Sequence, residues 1–148
     1  MPTQPSVSRQ AVGRAMAQLM PTIVQGLQLE FFVKRNVTQT QFLVLMALRA
    51  SGSSRMSALA QRMQVALQTA TGIVTRLVKA GLVRRFTTSE DRRQVMVELT
   101  PKGEAFIRDF QAVVRRRWEE VVRALTPREL IAFFEILNKL QQRLAARA

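Results

Sequence analysis

Between Leu67 and Ala80 the polar residues Gln68, Thr69, Thr71, Thr75, Arg76 and Lys79 recur at spacings that gather them, with Gly72, on one arc of a helix turning about 100° per residue. Ala70, Ile73, Val74, Leu77 and Val78 fall on the other side. The chemistry available to the polar arc is recognition rather than reaction. Its amide and hydroxyls donate to and accept from base edges, its threonine methyls suit the thymine methyl, and its cations suit phosphates. No carboxylate lies among these residues, whereas a merely solvated helix face usually mixes Glu with Lys for pairing four residues apart. Gly72 costs such a helix about 1 kcal/mol relative to alanine. A backbone that must approach a groove would account for it; a tolerated small residue is the alternative.

The rest of the composition removes most other chemistry. The 148 residues contain no His, no Cys and no Tyr, which leaves out thiolate redox chemistry, zinc sites and every imidazole-assisted nucleophile. The acids are Asp91, Asp109 and eight Glu spread mainly over amphipathic segments, so paired-carboxylate catalysis has little to work with, and no enzyme is expected. Lys and Arg number 23 against 10 acids, a net charge of +13, and a field of that size concentrates polyanions at a surface. The excess is uneven: residues 34–103 hold 12 bases and 3 acids. With 47% apolar residues the chain can bury a core and reads as one domain, 1–148. Its longest uncharged apolar run, Phe42 to Leu48, is far too short to span a bilayer. The N-terminus has no secretory pattern, so a cytoplasmic location is expected.

The elements that must position the polar arc follow from periodicity and punctuation. Val12, Met16, Leu19, Ile23, Leu27 and Phe31 mark a long helix beginning near Ser6, and Pro21 predicts a kink or a break into two helices near Met20. Thr38 with Gln41 is a capping-box pattern for a helix closed by Ser51 and Gly52. Ser57 is expected to cap a short helix to about Met63, and Gln64 to Ala66 turn the chain into the 67–80 helix, stopped by Gly81. Leu82–Thr87 and Gln94–Leu99 read as two strands of a hairpin. Thr100-Pro101 opens a long amphipathic helix, and Thr126, Pro127 and Glu129 open another.

Two helices joined by a three-residue turn have the layout of a helix-turn-helix, whose second helix can enter the major groove. Ser57, Gln68, Thr69, Thr71, Thr75, Arg76 and Lys79 are the expected contacts there, to bases or phosphates. The hairpin tip carries Arg92 and Arg93, which suit a narrow, strongly negative minor groove. Phosphate would repel Asp91 from the same loop, so it is expected to stiffen the wing by accepting hydrogen bonds from an arginine, with Arg76 as partner.

Thr38 to Leu48, Ser57-Ala-Leu-Ala, Thr75 to Arg85, and the ordered set Gly81-Leu-Val, Asp91-x-Arg93 and Leu99-Thr-x-x-Gly103 resemble the MarR family of bacterial transcriptional regulators over nearly the whole chain. The resemblance implies a winged-helix dimer with the second helix in the major groove, Arg93 in the minor groove and Arg92 on phosphate. It also implies a small aromatic or phenolic effector bound between the DNA-binding lobe and the dimer helices. Met16, Met20, Phe110 and Trp118 are candidates to line such a pocket, or else form solid dimer core. The lack of Cys and His sets the chain apart from thiol-oxidised and metal-sensing members.

The expected architecture is therefore mainly α with a small β-hairpin wing. A winged helix-turn-helix lobe at 34–103 is flanked by dimerisation helices at 6–33 and 104–146. The terminal stripes carry more large apolar groups than one lobe can cover, which calls for a homodimer. The expected function is a sequence-specific transcriptional regulator, expected to repress, that binds double-stranded DNA at a near-palindromic operator. A non-specific architectural DNA-binding protein is the alternative.

Overall fold

The computed structural model describes residues 7–89 and 92–146, which fall into two compact units, Met1–Val113 and Val114–Ala148. Helix α1 spans Arg9–Leu27 and passes into a π-helical turn, Gln28–Val33; α2 is Gln39–Ser51, β1 Ser53–Arg55, α3 Met56–Arg62 and α4 Leu67–Lys79. Strands β2 (Val83–Thr87) and β3 (Val95–Leu99) precede α5, Pro101–Val122, and α6, Pro127–Ala145.

The helix starts show how local sequence sets the boundaries. The Ser8 hydroxyl accepts from the Ala11 N–H at the head of α1. At α2 the Thr38 hydroxyl accepts from the Gln41 N–H while the Gln41 side chain accepts from the Thr38 N–H, and Thr126 and Glu129 repeat the arrangement at α6. Each satisfies donors that a helix start leaves orphaned. The bonds from Thr126 hold the Glu129 carboxyl below its ordinary range. Helix α4 ends just before Gly81, whose φ of +74° favours glycine.

The structure corrects the sequence reading at three points. Of the expected kink or break, the break into two helices does not occur: helix α1 continues through Pro21. Proline removes only its own N–H, and the exposure of Ala17 and its neighbours leaves the released carbonyl to solvent. The irregularity comes later, in the π-helical turn. Ser57 does not cap α3: Arg55 holds that position without a side-chain cap bond, and Ser57 lies inside the first turn. The wing is not a lone hairpin, because β1 adds a third antiparallel strand in the order β1-β3-β2, pairing Ser54 with Val97.

The core of the first unit joins Leu45 and Leu48 of α2, Leu59 of α3, Val74 and Leu77 of α4, Val97 of β3 and Ile107 of α5, all essentially buried. Phe31 anchors the N-terminal segment to it, with ring centroids 4.8 Å from Phe106 and 5.2 Å from Phe110. The Arg35 guanidinium lies 4.8 Å from the Phe31 centroid and pairs with Asp109 at 2.8 Å. Helix α4 therefore sits on a fixed platform, with Ala70, Ile73, Val74 and Leu77 inward; Val78, read as inward too, is 38% exposed.

In the second unit no α6 residue is buried, and Ile131 and Phe134 are 64% and 63% exposed. With Trp118 and Val122 of α5 they line an apolar groove of about 1130 Å³. No described helix is long and apolar enough to cross a membrane.

Candidate nucleic-acid interface

Burial against the α2 and α3 side chains leaves the other side of α4 open. Gln68, Thr69, Thr71, Gly72, Arg76 and Lys79 are all exposed, and Thr75 is half-buried. A Cβ at Gly72 would meet nothing within 4 Å, so no contact inside the protein requires glycine there. Ala66 precedes the helix without a side-chain cap bond. The first-turn N–H groups are then left for solvent or an anionic ligand, with the positive end of the helix dipole behind them.

Beside this helix start, β1, α3, α4 and the wing enclose a groove of about 480 Å³ lined by Arg55, Met56, Ser57, Leu67, Thr71, Arg85, Arg93, Gln94 and Val95. Three arginines from three parts of the fold converge on it, and none of its described lining residues is a carboxylate. Its chemistry is that of a seat for a polyanion, combining guanidinium forks with hydroxyl and amide groups.

The structure thus brings Ser57, Thr71 and Arg93 together in one groove and ranges Gln68, Thr69, Arg76 and Lys79 along the exposed helix face leading from it. Arg92 is exposed beside Arg93 in the wing loop, and Asp91 lies outside the described residues. Of the residues suggested for an effector pocket, Met16 and Met20 are exposed on α1, and Trp118 lines the α5–α6 groove. Phe110 packs in the aromatic cluster, 4.3 Å from the Phe42 centroid.

Two threonines differ from their sequence-based role as donors to bases. The Thr71 hydroxyl donates to the Leu67 carbonyl at 2.8 Å and the Thr75 hydroxyl to the Thr71 carbonyl at 2.7 Å, so both protons are held within the helix. Sequence reasoning missed Arg55 and Arg85. The available signal was alternation in β2: successive side chains point to opposite faces, so one of the adjacent Arg84 and Arg85 had to face away from its neighbour. Arg84 pairs with Glu98, its cross-strand partner in the sheet, and Arg85 reaches α4.

The sequence profile of the MarR family matches residues 37–95, the span from α2 to the start of β3. An HTH-type transcriptional regulator of Bacillus subtilis (strain 168), YfiV, is 32% identical over 76% of this chain and 71% of its own length. The HTH-type transcriptional repressor MdtR of the same organism is 30% identical over 80% of this chain and 77% of its own. Among solved structures, NadR in complex with 4-hydroxyphenylacetate superimposes with a TM-score of 0.57 at 27% identity, covering 95% of this chain and 97% of that one.

Proposed function

Because the chain belongs to the MarR family of transcriptional regulators, many of them repressors, we propose that it represses transcription by binding a near-palindromic operator as a homodimer. The observation that carries the proposal is the continuity of the exposed, carboxylate-free face of α4 with the groove of Arg55, Arg85 and Arg93. In this reading α4 lies in the major groove. Gln68 and Thr69 meet base edges, and Thr71 offers its methyl and oxygen rather than a free proton. Arg76 and Lys79 neutralise phosphates, as does Arg92 at the wing. Arg93 enters the minor groove.

A second copy covers the apolar faces of α1, α5 and α6. Exposed Met16, Leu19 and Val24 on α1, with Ile131, Phe134 and Leu140 on α6, support this role. Two-fold symmetry then sets the recognition helices one duplex turn, about 34 Å, apart. The phenolic acid held by NadR supports a small aromatic acid as the releasing effector.

Selection of bound genomic fragments, followed by competition binding at fixed salt, tests the proposal. A palindrome bound at least about 10³-fold more tightly than random duplex is expected of a regulator. Equal affinity for both would instead mark an architectural protein that uses the +13 charge to coat DNA. Arg93→Ala should weaken operator binding by about 1 to 3 kcal/mol in a protein that stays folded by circular dichroism. Unchanged affinity would remove the wing from the interface.

A further inference from the structure

Arg85 leaves the face of the sheet opposite to Arg84 and crosses to the recognition helix. Its Nη2 donates to the Thr71 carbonyl at 3.1 Å and to Thr75 Oγ1 at 2.6 Å. The Thr75 hydroxyl donates in turn to that same Thr71 carbonyl at 2.7 Å, closing a ring of three hydrogen bonds between β2 and α4. Thr75 Oγ1 therefore both donates and accepts inside the protein.

We infer that Arg85 is a positioning residue that locks the wing to the recognition helix, with Thr75 as its receptor rather than a reader of bases. The inference rests on the DNA-binding reading above. Helix and wing are expected to enter different grooves, and each contact is worth most when the other is already aligned. A hinge free at β2 would lose that alignment and add an ordering cost on binding. A guanidinium suits the task because its rigid plane can aim both hydrogens of one nitrogen at two acceptors; a lysine ammonium reaches one atom less far and holds no fixed plane.

Thr75→Val and Arg85→Lys test this without changing the net charge. In the free protein, hydrogen exchange should quicken in both variants across the wing strands 83–87 and 95–99 while α2 keeps its protection; unaltered exchange in the wing would overturn the brace. On the selected operator, each variant should lose three- to tenfold in affinity. The pair together should lose less than the product of the two, because both break one interaction. The penalty of Arg93→Ala should also shrink in the Arg85→Lys background, which an effect confined to local stability would not produce. Additive losses, or an undiminished Arg93 penalty, would show that Arg85 acts independently of the wing. Relaxed preference at a single base pair in Thr75→Val would make Thr75 a reader and refute its assignment. If the wild-type protein does not distinguish operator from random duplex, the DNA-reading proposal falls, and the exchange experiment still decides the brace.

Discussion

Gly72→Ala separates the needs of the folded chain from the needs of its proposed ligand. Gly72 lies within α4, exposed, and an added Cβ would have no neighbour within 4 Å. In the free protein only backbone preference should change, and alanine is favoured in a helix by about 0.5 to 1 kcal/mol. For a chain of this size that raises the melting temperature by roughly 1 to 4 °C. Against a duplex the sign reverses. A methyl placed where two surfaces meet closely costs about 1 to 3 kcal/mol of misfit, or roughly five- to 150-fold in affinity. Thermal unfolding at fixed protein concentration and fluorescence anisotropy on labelled operator at fixed salt read the two effects separately. A more stable protein with undiminished affinity would mean that this arc of α4 faces solvent in the complex. A less stable one would refute the open surroundings of Gly72.

Three other perturbations carry opposite or distinct expectations. Gly103→Ala puts a methyl into the Leu82 carbonyl oxygen, with the Leu82 carbonyl carbon at 3.1 Å and Leu99 Cδ2 at 3.2 Å; a loss of about 2 to 4 kcal/mol in denaturant unfolding is expected, and a change under about 1 kcal/mol would contradict that packing. Gln68→Ala should relax discrimination at one base pair per half-site by about 1 to 3 kcal/mol, and a uniform loss over all operator variants would make it a phosphate contact. Replacing Ile131 and Phe134 by Gln should raise the dimer dissociation constant at least about a hundredfold in sedimentation equilibrium, since each large apolar group buried contributes about 1.5 to 3 kcal/mol; an unchanged mass would free α6 from the interface.

The parts of the fold legible in the sequence were those written in short-range chemistry. The Thr38–Gln41 and Thr126–Glu129 boxes lie where three-residue spacing placed them, and Gly81 ends α4 as its backbone freedom implied. The polar and apolar sides of α4 also separate as the helical period predicts, with Val78 and the half-buried Thr75 on the margins. What was not legible depends on partners distant in the chain. Strand β1 is only three residues long and exists through pairing with β3, more than forty residues later. Ser57 has the residue type of a cap, but that pairing holds Arg55 extended and starts α3 two residues too early for Ser57 to serve. Arg85 was visible as a charge near a predicted strand; its acceptors, a helix carbonyl and a threonine oxygen, have no sequence signature.

Two of the segments that carry the family resemblance, Gly81-Leu82-Val83 and Leu99 to Gly103, meet in space, and their work is structural. The Thr100 hydroxyl donates to the Gly81 carbonyl at 2.6 Å and accepts from the Gly103 N–H at 3.1 Å, while the Thr100 N–H donates to the Leu82 carbonyl at 3.1 Å. Lys102 adds a bond from Nζ to the Ala80 carbonyl at 2.8 Å. Helix α4 thus ends, β2 begins, β3 ends and α5 begins at a single joint, too tight at Gly103 to admit a Cβ. This joint fixes where the wing hangs relative to α4 and touches none of the residues proposed to meet bases. Those residues are exposed and answer to no packing constraint inside the chain, so they can change while the joint stays. A relative 32% identical can therefore share the way the wing is hung and still read a different operator. In the proposed complex the DNA sequence bound is to be sought from Gln68, Thr69 and their neighbours on α4, because the joint that places those residues is indifferent to it.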